Sequence, residues 1–235
     1  MSKLREIVLD TETTGLDIDS GHRIIEMGCV ELINKVRSGV VFHEYINPCR
    51  DVPYHSTKIH GITDEMLKDK PVFEEIAQKF IDFISDSTLV IHNAGFDVKF
   101  INMELGRLNH DSISSNRVID TLSMARRKFM GSPASLDALC KRFNISLESR
   151  EVHGALVDAE LLAKVYVEMT GGLQISFFHN AEQSKEQTTE ESNHSMSKKY
   201  HEPRNFPLSQ KEIDAHRELL KSIKNPIWVK SKLAN

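Results

Sequence analysis

The sequence predicts an α/β domain, a mixed sheet flanked by helices, that carries a mostly disordered C-terminal tail. Three observations predict it. Short apolar runs alternate with segments whose apolar residues recur at helical spacing. Polar turns separate the two kinds of segment. The composition then changes after Gly171-Gly172: residues 179–205 are rich in Ser, Glu, Gln, Asn, Lys and Thr and have almost no apolar content.

In order along the chain, Glu6-Ile-Val-Leu-Asp10 reads as a short apolar strand that ends in acid. Arg23–Ile33 and Gly39–Ile46 follow as strands, and the polar stretch 34–38 between them suggests an antiparallel meander. Residues 72–84 place Phe73, Ile76, Ala77, Phe80, Ile81 and Ile84 at helical intervals. Residues 87–91 suit a buried strand, 96–108 a helix and 118–120 another short strand. Ser135–Phe143 and Ala155–Met169 read as helices, with Ser135 suited to cap the first. Order returns near 208–224, where Ser209 and Glu212 have the spacing of a capping box.

Bulk properties narrow the function. The 235 residues are 40% hydrophobic and 27% charged, as in an ordinary globular protein. No run of 18 apolar residues indicates a membrane span. The chain enters its first strand without a signal-peptide pattern. Cys29, Cys49 and Cys140 are too scattered for a disulfide framework, which fits a reducing cytoplasm, and Cys29 and Cys140 read as core residues. Up to Thr170 there are 20 Lys/Arg against 26 Asp/Glu, a net of −6, within a whole-chain charge of −4. Such a domain grips long nucleic acid poorly by its own surface. It does not exclude a nuclease that works on a chain end delivered by a partner.

Three segments carry chemistry. In Asp10-Thr-Glu12, side chains at i and i+2 of a strand share a face, and two carboxylates that close repel unless a cation lies between them. A lone pair of this kind is also what a solvated strand end looks like. Here a buried run leads into it, and ligand sites of α/β folds lie beyond the carboxyl ends of strands. In His92-Asn-Ala-Gly-Phe-Asp97 a buried strand turns into a helix. Asp97 falls in its first turn, where it is either a ligand or a helix-dipole stabiliser. His92 orders the turn or supports the site. In His153-Gly-Ala-Leu-Val-Asp158, Asp158 lies just inside a long helix, and His153 precedes it on a loop that Gly154 frees. Four acids and one histidine suit hard cations such as Mg²⁺ or Mn²⁺ better than zinc. Two such ions could clamp a phosphodiester, with His153 taking the proton from water.

These three segments, in this order over about 150 residues, resemble the exonuclease motifs of the DEDDh superfamily. The resemblance implies an RNase H-like fold with a five-stranded mixed sheet. It implies two divalent ions and 3′→5′ release of nucleoside 5′-monophosphates. It assigns Asp10, Glu12, Asp97 and Asp158 to the metals and His153 to the general base. His60-Gly-Ile-Thr63 matches a segment that meets the terminal nucleotide, with Ile62 wedged against the base and Thr13 and Phe96 lining the pocket; Asp10, Glu12 and Asp158 would also touch the substrate. Ile62 as plain core is the competing reading.

Within the superfamily, length and tail make the chain most similar to the proofreading exonucleases of bacterial replicative polymerases. The alternative is a stand-alone exonuclease acting on RNA or small oligonucleotides. The implied organisation is an exonuclease domain over 1–172, a linker over 173–205 and a polymerase-binding tail over 206–235. Gln174-Ile-Ser-Phe-Phe178 resembles a sliding-clamp-binding pentapeptide, in which Gln174, Phe177 and Phe178 are the anchors. The competing reading packs them on the core at the end of the last helix. The resemblance implies that Trp228, the single tryptophan, would anchor the tail on the polymerase catalytic (alpha) subunit. The implied partners are therefore a DNA 3′ end, that subunit and a clamp. The resemblance also allows a small accessory subunit on the catalytic domain.

Overall fold

The structure, a computed structural model, describes residues 4–147, 152–171 and 209–222. The linker and the anchors Gln174, Phe177, Phe178 and Trp228 lie outside the described residues. Five strands form one sheet in the order β3-β2-β1-β4-β5. They are β1 (Arg5–Thr13), β2 (Ile24–Ile33), β3 (Val36–Tyr45), β4 (Thr88–Ile91) and β5 (Val118–Asp120). β1, β2 and β3 pair antiparallel as a meander, while β4 and β5 run parallel to β1. The carboxyl ends of β1, β4 and β5 therefore open on one edge of the sheet. The expected mixed five-stranded sheet is present.

Strand alternation divides the core in two. Ile7 and Leu9 of β1, with Met27 and Cys29 of β2, face one way. They pack on α3 (Phe73–Ile84) and α4 (Gly95–Arg107) through Phe73, Phe80 and Phe100. Val8, Val30 and Leu32 face the other way. They pack on α6 (Leu136–Arg142) and α7 (Ala155–Met169) through Leu139, Leu162 and Tyr166. Each such large apolar side chain contributes about 1.5–3 kcal/mol when fully buried. Cys29 and Cys140 are buried, and Cys49 is exposed.

Several elements differ from the sequence expectation. The turn between β2 and β3 is confined to Asn34 and Lys35, both in left-handed backbone, so β3 starts at Val36. Its first residues are exposed, which hid that early start from an apolar pattern. α1 (Tyr54–His60), α2 (Asp64–Leu67) and α5 (Thr121–Lys128) were not anticipated. α1 and α2 are too short to show a period, and α5 buries only Thr121 and Ala125. α1 stops at Gly61, whose φ of 74° favours glycine. In the second compact unit, helix α8 (Gln210–Ser222) forms as expected. Ser209 and Glu212 exchange the bonds of a capping box: Glu212 accepts from the Ser209 amide at 2.8 Å, and the Glu212 amide donates to the Ser209 hydroxyl at 3.4 Å.

Candidate active site

β1 sets the first two acids. Asp10 and Glu12 point toward the α7 face, opposite Gly28 and Glu26 of β2 in the ladder. α7 can come this close because Gly28 has no side chain. A Cβ there would lie 2.3 Å from the carbonyl carbon of Ala155 and the amide nitrogen of Leu156. The first turn of α7 thus rests on the strand, and Asp158 is delivered to the acid pair.

Asp97 arrives from the other layer. Thr11 lies between Asp10 and Glu12 and points the opposite way, toward α4. Its amide and hydroxyl both donate to Asp97 Oδ1, at 3.1 and 2.7 Å. Burial still pushes the Asp97 carboxyl up to about 7, against the pull of these bonds. Asp10 is raised well above the carboxylate range by burial first, then by repulsion from Asp97, Glu12, Asp158 and Glu26. The turn that leads to Asp97 is organised by Asp120 at the end of β5. Its Oδ1 accepts from the amides of Asn93 at 3.0 Å, Ala94 at 3.4 Å and Leu122 at 3.1 Å. Burial raises the Asp120 carboxyl, but these bonds and one from Ser123 outweigh it and hold it low. His92 meets the Thr121 hydroxyl at 3.0 Å, and burial lowers its basicity. It therefore orders the turn.

His153 stands half-exposed with Nδ1 3.1 Å from Asp158 Oδ2. One ligand atom each from Glu12, His153 and Asp158 lie within 4.8 Å of one another. The His153 amide donates to the Ile59 carbonyl at 3.2 Å, which ties the loop to α1. That contact brings the His60-Gly-Ile62 segment beside the site. His60 is buried; its Nδ1 accepts from the Ile62 amide at 3.0 Å, and its Nε2 has no hydrogen-bond partner. Burial lowers its basicity, Glu26 opposes that, and His153 adds to it.

The pocket residues divide. Phe96 is half-buried and packs on Phe100 at 4.9 Å between centroids. Thr13 is buried, and its hydroxyl donates to the Gly15 carbonyl at 2.7 Å. Ile62 is 2% exposed and packs with Ile25, Val52 and Leu67. A side chain so enclosed has little surface to wedge against a base, so in this conformation Ile62 is core.

A crowd of acids in which burial and then the neighbouring carboxylates lift Asp10 is the donor set that a hard divalent cation relieves. Asp10, Glu12, Asp97, Asp158 and His153 fit such a group. Glu26, Gly28, Thr11 and Asp120 were not singled out from the sequence. The one available signal was Glu26, an acid inside the apolar run Ile24-Ile-Glu-Met-Gly-Cys-Val30.

A family model described as exonuclease, of the RNase T type, matches residues 7–166. A DNA polymerase III subunit epsilon of Rickettsia felis is 51% identical over 226 residues, covering 95% of this chain and 98% of that protein. The corresponding protein of Rickettsia prowazekii is 58% identical over 180 residues, covering 75% and 79%. Among solved structures, the nuclease domain of 3′hExo, described as a DEDDh family member bound to rAMP, superimposes with a TM-score of 0.61 at 19% identity. It covers 72% of this chain and 92% of that one, and shows the shared fold.

Proposed function

The chain belongs to the RNase T-type exonuclease family, in the group of the DNA polymerase III epsilon subunits, and from that premise we propose that it proofreads DNA through Asp10, Glu12, Asp97, Asp158 and His153. It is a 3′→5′ exonuclease. The observation that carries the residue assignment is the convergence of Glu12, His153 and Asp158 within 4.8 Å, beside an Asp10 lifted by burial and then by its acidic neighbours.

Asp10, Glu12, Asp97 and Asp158 would hold two divalent cations, Mg²⁺ or Mn²⁺. Bound there, the cations offset the acids and stabilise charge on the phosphate under attack. The chain's own residues do the rest. Nδ1 of His153 lies 3.1 Å from Asp158 Oδ2, and with the proton on that nitrogen Nε2 is left as the base for the attacking water. Thr11 fixes Asp97, and the Asp120 turn fixes the start of α4. His60, whose Nε2 is unpartnered, and Phe96, whose ring is partly open, supply a polar and a stacking contact for the terminal nucleotide.

The DNA end is presented by the polymerase catalytic subunit in the bacterial cytoplasm. We assign residues 1–172 to the exonuclease, 173–205 to a linker with a clamp-binding segment, and 206–235 to the polymerase-binding tail, with a small accessory subunit as a further partner. α8 supports the tail assignment: its Leu219 is 58% exposed, an apolar residue on a polar helix suited to a partner's groove.

Hydrolysis of a 3′-mismatched primer with Mn²⁺, and again with EDTA, tests the reading. Asp10→Ala and His153→Ala should abolish release of 5′-monophosphate while the fold is kept. Wild-type turnover by either variant would overturn the assignment.

A further inference from the structure

We propose that Glu26 is a positioning residue for the reaction, a carboxylate that caps α7 from the neighbouring strand and so sets where Asp158 and His153 stand relative to Asp10 and Glu12. The proposal rests on the metal assignment above.

α7 needs such a group. Its N-cap is Gly154, which has no side chain to offer the first amides. Glu26 Oε2 accepts from the Ala155 amide at 3.0 Å, across 129 residues of sequence. Its other oxygen meets His43 Nε2 at 2.7 Å, and Tyr45 also bonds to it. His43 and Tyr45 lie on β3, and their rings meet edge to face at 5.1 Å between centroids. The Glu26 carboxylate is therefore held from β3, the edge strand of the sheet, and aimed at the start of α7.

The placement matters more than a surface cap would. Glu26 is 2% exposed and sits directly opposite Glu12 in the β1–β2 ladder. A further buried acid beside this cluster adds to the repulsion that lifts Asp10. Fold stability alone would favour an apolar residue there. What the carboxylate supplies is a fixed register between the strand that carries Glu12 and the helix that carries Asp158. Because α7 begins at Ala155, a shift of its first turn moves both Asp158 and His153. Partners of this kind behind ligating side chains are worth about 10–100-fold in metal affinity or activity.

The test uses the full chain. Amide hydrogen exchange at Ala155, calorimetric Mn²⁺ binding without DNA, and kcat and KM on a mismatched primer are measured for Glu26→Ala, Glu26→Gln and Glu26→Asp. Gln keeps an acceptor at the same reach, so E26Q should hold exchange and Mn²⁺ affinity within about threefold of the unaltered chain. E26A should speed Ala155 exchange and weaken Mn²⁺ binding, each by about tenfold or more. Its kcat should fall, with KM changed less than about threefold. If E26A does not fold, E26D carries the test: it is one methylene short of Ala155 and should fail in the same direction. Normal exchange and Mn²⁺ affinity in the folded E26A or E26D variant, with only a lower Tm, would overturn the proposal. So would an E26Q variant as impaired as E26A. Failure of the unaltered chain to bind Mn²⁺ would defeat the metal assignment, while exchange at Ala155 would still decide the capping role.

Discussion

Thr11 holds Asp97 twice, by its amide at 3.1 Å and its hydroxyl at 2.7 Å, both to Oδ1. Through this pair β1 contributes to the site on both of its faces: Asp10 and Glu12 point to one layer, and Thr11 reaches the acid of the other.

The pair predicts a pH dependence. Asp97 stands near 7 in the folded, metal-free chain, against an ordinary 3.8. The folded state therefore binds this proton more tightly than the unfolded state. Stability from this group is present below about 4 and is lost as pH rises toward about 7. Asp97→Asn removes that titration. Thermal unfolding in EDTA between pH 5 and pH 8 should show a shallower fall in Tm for D97N, by roughly 2–4 °C for each kcal/mol of lost linkage. Equal slopes for D97N and the unaltered chain would contradict the assignment. Adding Mn²⁺ should raise Tm most at the alkaline end.

His153 is predicted to act on the water and not to hold the site together. His153→Gln should lower kcat by about 10²–10⁴. Mn²⁺ binding should change by only a few-fold, because the four acids remain. A large loss of Mn²⁺ affinity with little loss of kcat would reverse that division of roles. Single-turnover hydrolysis beside calorimetry separates the two.

Gly28 is predicted to be intolerant of the smallest side chain. The 2.3 Å approach to Ala155 and Leu156 is a contact with backbone, which cannot rotate away. Gly28→Ala should displace the first turn of α7, cost about 1–3 kcal/mol and reduce activity. Chemical denaturation and primer hydrolysis measure the two effects. A fully active and stable G28A variant would mean that α7 stands farther from β2.

The tail is predicted to choose the partner and not the chemistry. Removing residues 174–235 should leave hydrolysis of a short primer within about twofold. It should also abolish co-purification of the polymerase catalytic subunit, because a tether acts through effective concentration. Pull-down with the truncated chain is the measurement, and retained polymerase would refute the tether.

The legibility of this chain followed the range of the interactions. Ala155–Met169 reads as a helix, and forms as one, because its apolar residues repeat at the helical period. Asp97 falls in the first turn of α4 because the break at Asn93, with its φ of 62°, is a local turn signal. α5 escaped because a helix over Thr121-Leu-Ser-Met-Ala-Arg-Arg-Lys128 buries too little to show a period. Ile62 was read both as a base wedge and as core, and local sequence could not separate the two. Its enclosure by Ile25, Val52 and Leu67 comes from residues up to 37 positions away.

The sequence by itself determined the alternation of elements, the residue types of the site and their order. Those depend on local periodicity and on carboxylates whose mutual repulsion calls for a cation. Tertiary structure alone decided what holds those acids in place. Nothing near Glu26 in the chain indicates that it caps a helix 129 residues later, and nothing beside Gly28 indicates that Ala155 rests on it. Nor does the Asp10-Thr-Glu12 motif show that its middle residue anchors Asp97. The physical reason is that strand register and helix docking are set by burial over the whole sheet. A shift of one residue would turn Asp10 and Glu12 to the opposite layer and break every one of these contacts.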